Sequence, residues 1–243
     1  MNSEPNMYAH LYVSNITGEV FNVNYLFGLA HQLNMLTLCD MTQALGNIEI
    51  NLHEMECDIA TFSSHKVHGP KGCGFIYIKK SVQPSIIPLI PGTQQEELRG
   101  GTENTAFISA TAIAVEKSNS EITYKRNLSA IYTSIILSEL EKSKIEYIIN
   151  SGKKNILSTL NISLKGIESE ILQSMLSKKN IFIGVGSGCN NSLFEPDPTL
   201  VAMNVPEEYL HGQIRFSFST LNTEEEVRIA IQELINCYKQ LTE

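Results

Sequence analysis

DIATFSSHKVHGPKGCGFIYI, residues 58–78, decides the fold. An apolar run rich in strand formers, residues 58–64, leads directly into a cluster of small, polar, Gly and Pro residues, SSHKVHGPKG. A second strand-forming run, GCGFIYI, follows. His65 and Lys66 therefore sit in a loop at the end of a strand. A lysine there can attach covalently to a carbonyl group through its ε-amino nitrogen, provided burial or a neighbouring cation lowers its pKa. It can equally be a solvated loop lysine, the commoner state of that residue.

Upstream, MLTLCD at residues 35–40 reads as another strand, ending on Asp40, and YAHLYVS at residues 8–14 reads as a third, ending at Asn15. Residues 23–34 place apolar side chains at helical spacing between these two strands. A polar stretch with a short candidate helix joins Asp40 to the strand before Lys66. Short crossovers of this kind imply parallel neighbours. Asn15, Asp40 and Lys66 are then expected on one sheet edge, the carboxyl ends of the strands, where open α/β sheets bind ligands. An Asp closing an apolar strand can pair with a ring nitrogen or serve simply as a helix N-cap.

Downstream, residues 81–105 are rich in Pro, Gly and polar residues and read as a long loop, a length more often functional than idle. Residues 106–144 read as helical with a polar interruption near 118–123. That interruption divides the chain into an expected larger unit, 1–118, and a smaller α+β unit, 119–243. The second unit reads as strand STLNISL (158–164), a helix over 168–178, strand IFIGV (181–185), a Gly-rich loop, strand QIRFSFS (213–219) and a closing helix. Thr223 and three glutamates open that helix with a capping signal. In QIRFSFS, Arg215 alternates with Ile214 and Phe216, so its guanidinium faces away from the core. Its planar fork suits a bidentate carboxylate contact, although a surface ion pair would satisfy it too.

Composition limits the function classes. The chain has 243 residues, 42% of them hydrophobic and 18% charged, ordinary values for a globular protein. A net charge of −8 gives no attraction to a nucleic-acid backbone or an anionic membrane surface. No apolar run approaches membrane-spanning length, and MNSEPNMYAH lacks the layout of a signal peptide, so a cytoplasmic location is expected. Five cysteines without a CxxC pair indicate reduced thiols and no metal site. Cys39, Cys57 and Cys237 lie in apolar surroundings and read as packing. Cys189 lies among Gly186, Ser187, Gly188 and Asn190, a composition suited to an accessible, travelling thiolate. His53, His68 and His211 show no ligand spacing.

The ordered set of motifs resembles the cysteine desulfurase family, class-V-aminotransferase-like enzymes of pyridoxal-phosphate fold type I. CDMTQALG resembles the family segment in which Asp40 would pair with the pyridine nitrogen and Gln43 would reach the ring hydroxyl. SSHKVHGPKG resembles the segment in which Ser63 and His65 would bind cofactor phosphate and Lys66 would hold the cofactor covalently. QEELRGGTEN resembles the loop whose threonine, here Thr102, reaches the phosphate in the partner subunit of a homodimer. VSNITGEV resembles the strand end whose asparagine, Asn15, contacts cofactor and substrate. GVGSGCNNSLFEP resembles the loop carrying the nucleophile, Cys189, and GQIRFSFS the strand whose Arg215 holds the substrate carboxylate.

The resemblance implies a partial fold-type I large domain with a mostly parallel sheet, a smaller C-terminal α+β domain, and pyridoxal 5′-phosphate as cofactor. It implies conversion of L-cysteine to L-alanine, with sulfur held on Cys189 as a persulfide and passed to an acceptor protein. Iron–sulfur cluster assembly is one such destination. The family's phosphate-cradling Gly/Thr loop and ring-stacking histidine precede the strand that begins here at Tyr8. Cofactor binding is therefore expected to need a complementing N-terminal segment. Two alternatives stay open: a non-catalytic or degenerate subunit of a sulfur-transfer complex, and a pyridoxal-phosphate lyase or aminotransferase of the same family.

Overall fold

The computed structural model describes residues 6–186 and 195–242. They form two compact units. The first comprises Met1–Val13 and Phe21–Ile122, the second Ser14–Val20 and Thr123–Glu243.

In the first unit, β1 (Met7–Leu11), β2 (Leu36–Asp40), β3 (Ile59–Ser63) and β4 (Gly74–Ile78) form a sheet in that order. β1, β2 and β3 are parallel, as the crossovers imply, and β4 returns antiparallel to β3 across the short loop holding Lys66. Between β1 and β2 lies α1 (Val23–Gln32), opened by Asn22, whose side chain accepts from the Tyr25 N–H. Val23, Phe27 and Ala30, at i, i+4 and i+7, form its buried stripe, and it packs on β1 and β2. The strand expected over 8–14 stops at Leu11.

The short helix expected after Asp40 is absent. Residues 41–48 make successive turns, with the Leu45 N–H donating to Met41 O and the Ile48 N–H to Ala44 O, each at 3.0 Å. Gly46 lies between them at φ +68°, and no continuous helix forms. A Cβ at Gly46 would meet Ser118 Oγ at 1.8 Å and Val67 Cγ1 at 3.0 Å, so glycine also permits the close approach of this turn to the helix bearing Ser118. That helix, α2 (Thr105–Ser120), is capped by the Asn104 side chain and buries only Thr111.

The second unit contains α3 (Ile122–Lys142, from Thr123 onward), β5 (Tyr147–Ile149), β6 (Thr159–Leu164), α4 (Ser169–Ser177), α5 (Pro198–Ala202), α6 (Glu207–Leu210), β7 (Gln213–Ser217) and α7 (Glu224–Thr242). β5, β6 and β7 form an antiparallel sheet. Leu160, Ile162, Leu164, Ile214 and Phe216 turn toward α3, α4 and α7 in one continuous core with Tyr132, Leu140, Leu172, Leu176 and Ile231. Thr159, Asn161 and Ser163 alternate onto the other face of β6, and all six residues of that strand are buried. Thr223 and Glu226 form a reciprocal capping box at the start of α7, the Thr223 N–H donating to Glu226 at 2.9 Å and the Glu226 N–H to Thr223 Oγ1 at 3.2 Å.

The strand expected over 181–185 reduces to one bridge between Gly184 and Arg215. Gly186 turns the chain away at φ +53°, so no extended run forms. Among the described residues, no helix is long and apolar enough to cross a membrane.

Candidate active site

In the first unit, candidate residues lie on the carboxyl edge of β2 and β3. Asp40 is the last residue of β2 and stands opposite Thr61 of β3. Its Oδ1 accepts the Thr42 N–H at 2.9 Å, and the residue is exposed. β3 runs two residues further, to Ser63, and the chain then tightens into a 3-10 turn, Ser64–Val67.

That turn sorts its residues by burial. Ser64 and Val67 are buried while His65 and Lys66 are exposed. Ser64 Oγ lies 3.0 Å from Thr111 Oγ1 of α2, whose hydroxyl donates to Phe107 O at 2.7 Å. Gly69 closes the turn where a Cβ would fall 2.0 Å from Ser64 Oγ. The anchored pair holds Lys66 and His65 outward at the strand end beside Asp40, and among the described residues no hydrogen bond or ion pair engages the Lys66 amine. Gln43 is half-buried in the turn after Asp40, its backbone carbonyl accepting from Asn47 Nδ2 at 2.9 Å. Thr102 is exposed in the long loop, seven residues past Gln95, where Gln95, Glu96 and Glu97 all hold positive φ. Three such residues in succession are sterically costly for non-glycine side chains.

In the second unit, Arg215 projects from β7 onto the face opposite Ile214 and Phe216, as the alternation predicts. Its Nη1 donates to Asn15 O at 2.9 Å and more weakly to Gly186 O at 3.4 Å. Burial pushes the guanidinium pKa down and the charge of Asp197 opposes that shift; an arginine so placed stays cationic. Asp197 is itself buried. One of its carboxylate oxygens caps Thr199 N–H at 2.8 Å, and among the described residues the other has no hydrogen-bond partner. Asn15 does not end β1: it lies in the 14–20 segment that packs with the second unit, with its side chain exposed. Cys189 lies outside the described residues.

The remaining thiols differ from that expected nucleophile. Cys39, Cys57 and Cys237 are buried. The hydrogen bond with Cys57, burial and the nearby Asp40 charge raise the Cys39 pKa, and burial raises that of Cys237, which keeps both as neutral, unreactive thiols. Cys73 is half-buried against α2, with the Thr111 hydroxyl 3.4 Å from its sulfur. Among the described residues, no group of acidic, histidine or cysteine side chains could hold a metal ion.

Sequence reasoning passed over two polar clusters. Asp58, His31 and Thr37 form a buried network in the first unit. Asn150, Asn161 and Ser163 form another beneath Asn15 in the second. The alternation of polar and apolar residues in STLNISL was the available signal for the latter.

The family to which the chain belongs follows from its similarity to known proteins. Residues 1–229 match the family described as Aminotransferase class-V, and the chain belongs to it. Within that family it is similar to cysteine desulfurases: 34% identical over 219 residues to one from Gluconacetobacter diazotrophicus, covering 89% of this chain and 54% of the relative. It is also 31% identical over 218 residues to the cysteine desulfurase IscS of Methanosarcina thermophila, again covering 89% of this chain and 54% of the relative. Among solved structures, a NifS-like protein superposes with a TM-score of 0.86 at 29% identity, over 98% of this chain and 62% of that one. The architecture is thus a partial fold-type I domain followed by a smaller α+β domain, and the chain spans about half the length of the curated relatives it matches.

Proposed function

We propose that this chain carries the lysine, carboxylate and arginine side of a pyridoxal-phosphate-dependent cysteine desulfurase. The observation that carries the reading is the shared carboxyl edge of β2 and β3, where Asp40, Ser63, His65 and Lys66 are presented together.

The donor set there fits the cofactor. Asp40 has one oxygen committed to Thr42 N–H and one free to accept a pyridinium N–H. Gln43 can donate to a ring oxygen, Ser63 and His65 can donate to phosphate, and Lys66 offers an amine with no competing partner. When bound, the cofactor acts as an electron sink that labilises bonds at the substrate's α and β carbons.

Arg215 would take the substrate carboxylate, and the exposed side chain of Asn15 would contact substrate and cofactor. Cys189 would accept the sulfur of L-cysteine: its C–S bond breaks, an S–S bond to Cys189 forms, and L-alanine leaves. The resulting persulfide would pass to an acceptor protein. The resemblance of the Thr102 loop supports a homodimer in which that threonine serves the partner's phosphate.

One observation favours a need for completion before turnover. Among the described residues, both outer strands of the first sheet, β1 and β4, pair on one side only, and Ile76 of β4 is 55% exposed. Open edges of this kind take up further strands. A complementing segment that adds strands and a phosphate-binding loop fits them.

The test is cofactor absorbance on adding pyridoxal phosphate, followed by borohydride trapping and mapping of the labelled residue. We expect label on Lys66 and none in Lys66→Ala. Cys189→Ser should retain cofactor but form no persulfide with L-cysteine. Label elsewhere removes the assignment of Lys66, and persulfide formation in Cys189→Ser removes that of Cys189.

A further inference from the structure

We propose that Asn161 is a positioning residue that aims Arg215 and Asn15, by clamping the turn on which Asn15 sits. The proposal rests on the reading of Arg215 as the carboxylate-binding residue.

Asparagine is disfavoured in strands, and a buried amide left without partners is strongly unfavourable. Asn161 nonetheless occupies the middle of β6 with 0% exposure. Each of its polar groups is used. Nδ2 donates to Ile16 O at 2.9 Å, and Oδ1 accepts from Asn150 Nδ2 at 2.8 Å. Its backbone N–H donates to Ser151 Oγ at 2.9 Å, and its backbone carbonyl accepts the Asn150 N–H at 2.9 Å.

The network also sets which way the amide faces. Asn150 Nδ2 donates both to Asn161 Oδ1 and to Ser163 Oγ, the latter at 2.9 Å. Reversing Asn161 would set one NH2 group against another and its oxygen against the Ile16 carbonyl. The donor end is therefore held toward Ile16.

Asn161 is the direct cross-strand partner of Arg215, so the two side chains share a face. Arg215 holds Asn15 O and Asn161 holds Ile16 O, two consecutive carbonyls gripped from one sheet face. An extended chain points successive carbonyls to opposite sides. Here they converge because Ser14–Gly18 is a turn, closed by Gly18 N–H on Ser14 O at 3.0 Å. Ser14 Oγ also accepts the N–H groups of Ile16 and Thr17 at 3.2 and 3.1 Å. Ser14 satisfies the N–H end of the turn, while Arg215 and Asn161 satisfy its carbonyl end.

Two consequences follow for the site. The peptide carrying Asn15 is fixed at both ends, which sets the direction of its exposed side chain. Arg215 commits Nη1 to Asn15 O and Gly186 O, and among the described residues no hydrogen bond engages Nε or Nη2. Those two N–H groups form one edge of the fork, the arrangement that binds a carboxylate bidentately.

The experiment compares wild type, Arg215→Lys, Asn161→Asp and Asn150→Ala, each checked for folding by circular dichroism. The first readout, which needs no cofactor, is hydrogen exchange across residues 13–21. Asn161→Asp removes the donor to Ile16 O without changing the volume, so exchange in the turn should rise while α7 stays protected. Asn150→Ala keeps the donor but releases its orientation, and should act in the same direction more weakly.

The second readout is the change in cofactor absorbance of the loaded protein, complemented if needed, with L-alanine and with ethylamine, which lacks the carboxylate. Loss of one aimed hydrogen bond should weaken L-alanine binding about tenfold in Asn161→Asp and leave ethylamine nearly unchanged. Unaltered exchange in both asparagine variants overturns the clamp. Unaltered preference for L-alanine in both, with the preference lost in Arg215→Lys, overturns the positioning role alone. A preference that survives Arg215→Lys, or no response of wild type to L-alanine, overturns the carboxylate-binding reading and this proposal with it.

Discussion

At Asp58, one carboxylate gathers the ring of His31 at 2.9 Å, the Thr37 N–H at 3.0 Å and the Thr37 hydroxyl at 3.2 Å. It ties α1 to the first sheet. Burial alone would raise its pKa, but the hydrogen bonds from His31 and Thr37 and the charge of His31 outweigh burial and hold it below its ordinary value. A carboxyl depressed in the folded state contributes stability that is complete above its unfolded pKa, about 3.9, and is lost as pH falls through the folded value. Asp58→Asn should therefore lower stability by ~1–3 kcal/mol at pH 7 and flatten the acid limb of the stability curve below about pH 4. Urea melts of both proteins across that range check it, and parallel curves would count against the network. None of this was legible in the sequence, because Asp58 at the head of an apolar run looks like an ordinary strand flank. The places of Asp40 at the end of β2, of Lys66 in the loop after β3 and of Arg215 within β7 were legible, since each stands where a strand pattern breaks or alternates.

The elements were readable where their side-chain period was long enough to declare itself. α1, β2, β3, β6, α4 and α7 fall within a residue or two of their expected bounds. β1 stops three residues short of its expected end, and β5, α5 and α6 were not foreseen; two further short segments differ through backbone conformation. Residues 41–48 form successive turns, yet Gly46 in the left-handed region lies between them and no continuous helix forms. Residues 181–185 have strand composition, yet they pair only through the Gly184–Arg215 bridge. Gly46→Ala tests the first case. The added Cβ meets Ser118 and Val67 and must also adopt positive φ, which should destabilise the first unit by ~1–3 kcal/mol. The same change should disturb Gln43, three residues away. Thermal melting and cofactor affinity report the two effects, and a variant as stable as wild type would show that this turn relaxes freely.

Over the whole molecule, apolar burial is unequal. The second unit holds a continuous core running from Tyr132 to Cys237. The first has two open sheet edges and presents Ile87 at 91%, Leu89 at 96% and Ile113 at 67% exposure. We expect two unfolding transitions, with the second unit the more stable. Leu172→Ala, at a fully buried position of the second unit, should lower the upper transition by ~2–5 kcal/mol and leave the lower one in place. Calorimetry with hydrogen exchange decides this, and one cooperative transition shifted by Leu172→Ala would refute it.

The amino-acid sequence by itself determined the parallel order of the first three strands, through periods of two and three to four residues that are local properties of a chain, and its ordered motifs carried the resemblance to the family. Only the tertiary structure decided what holds the residues of those motifs in place. Arg215 meets Asn15 across 200 residues, and Asn161 meets Ile16 across 145. A hydrogen bond between such distant residues leaves no periodic trace, because it depends on how a turn and a sheet face come together after the chain between them has folded.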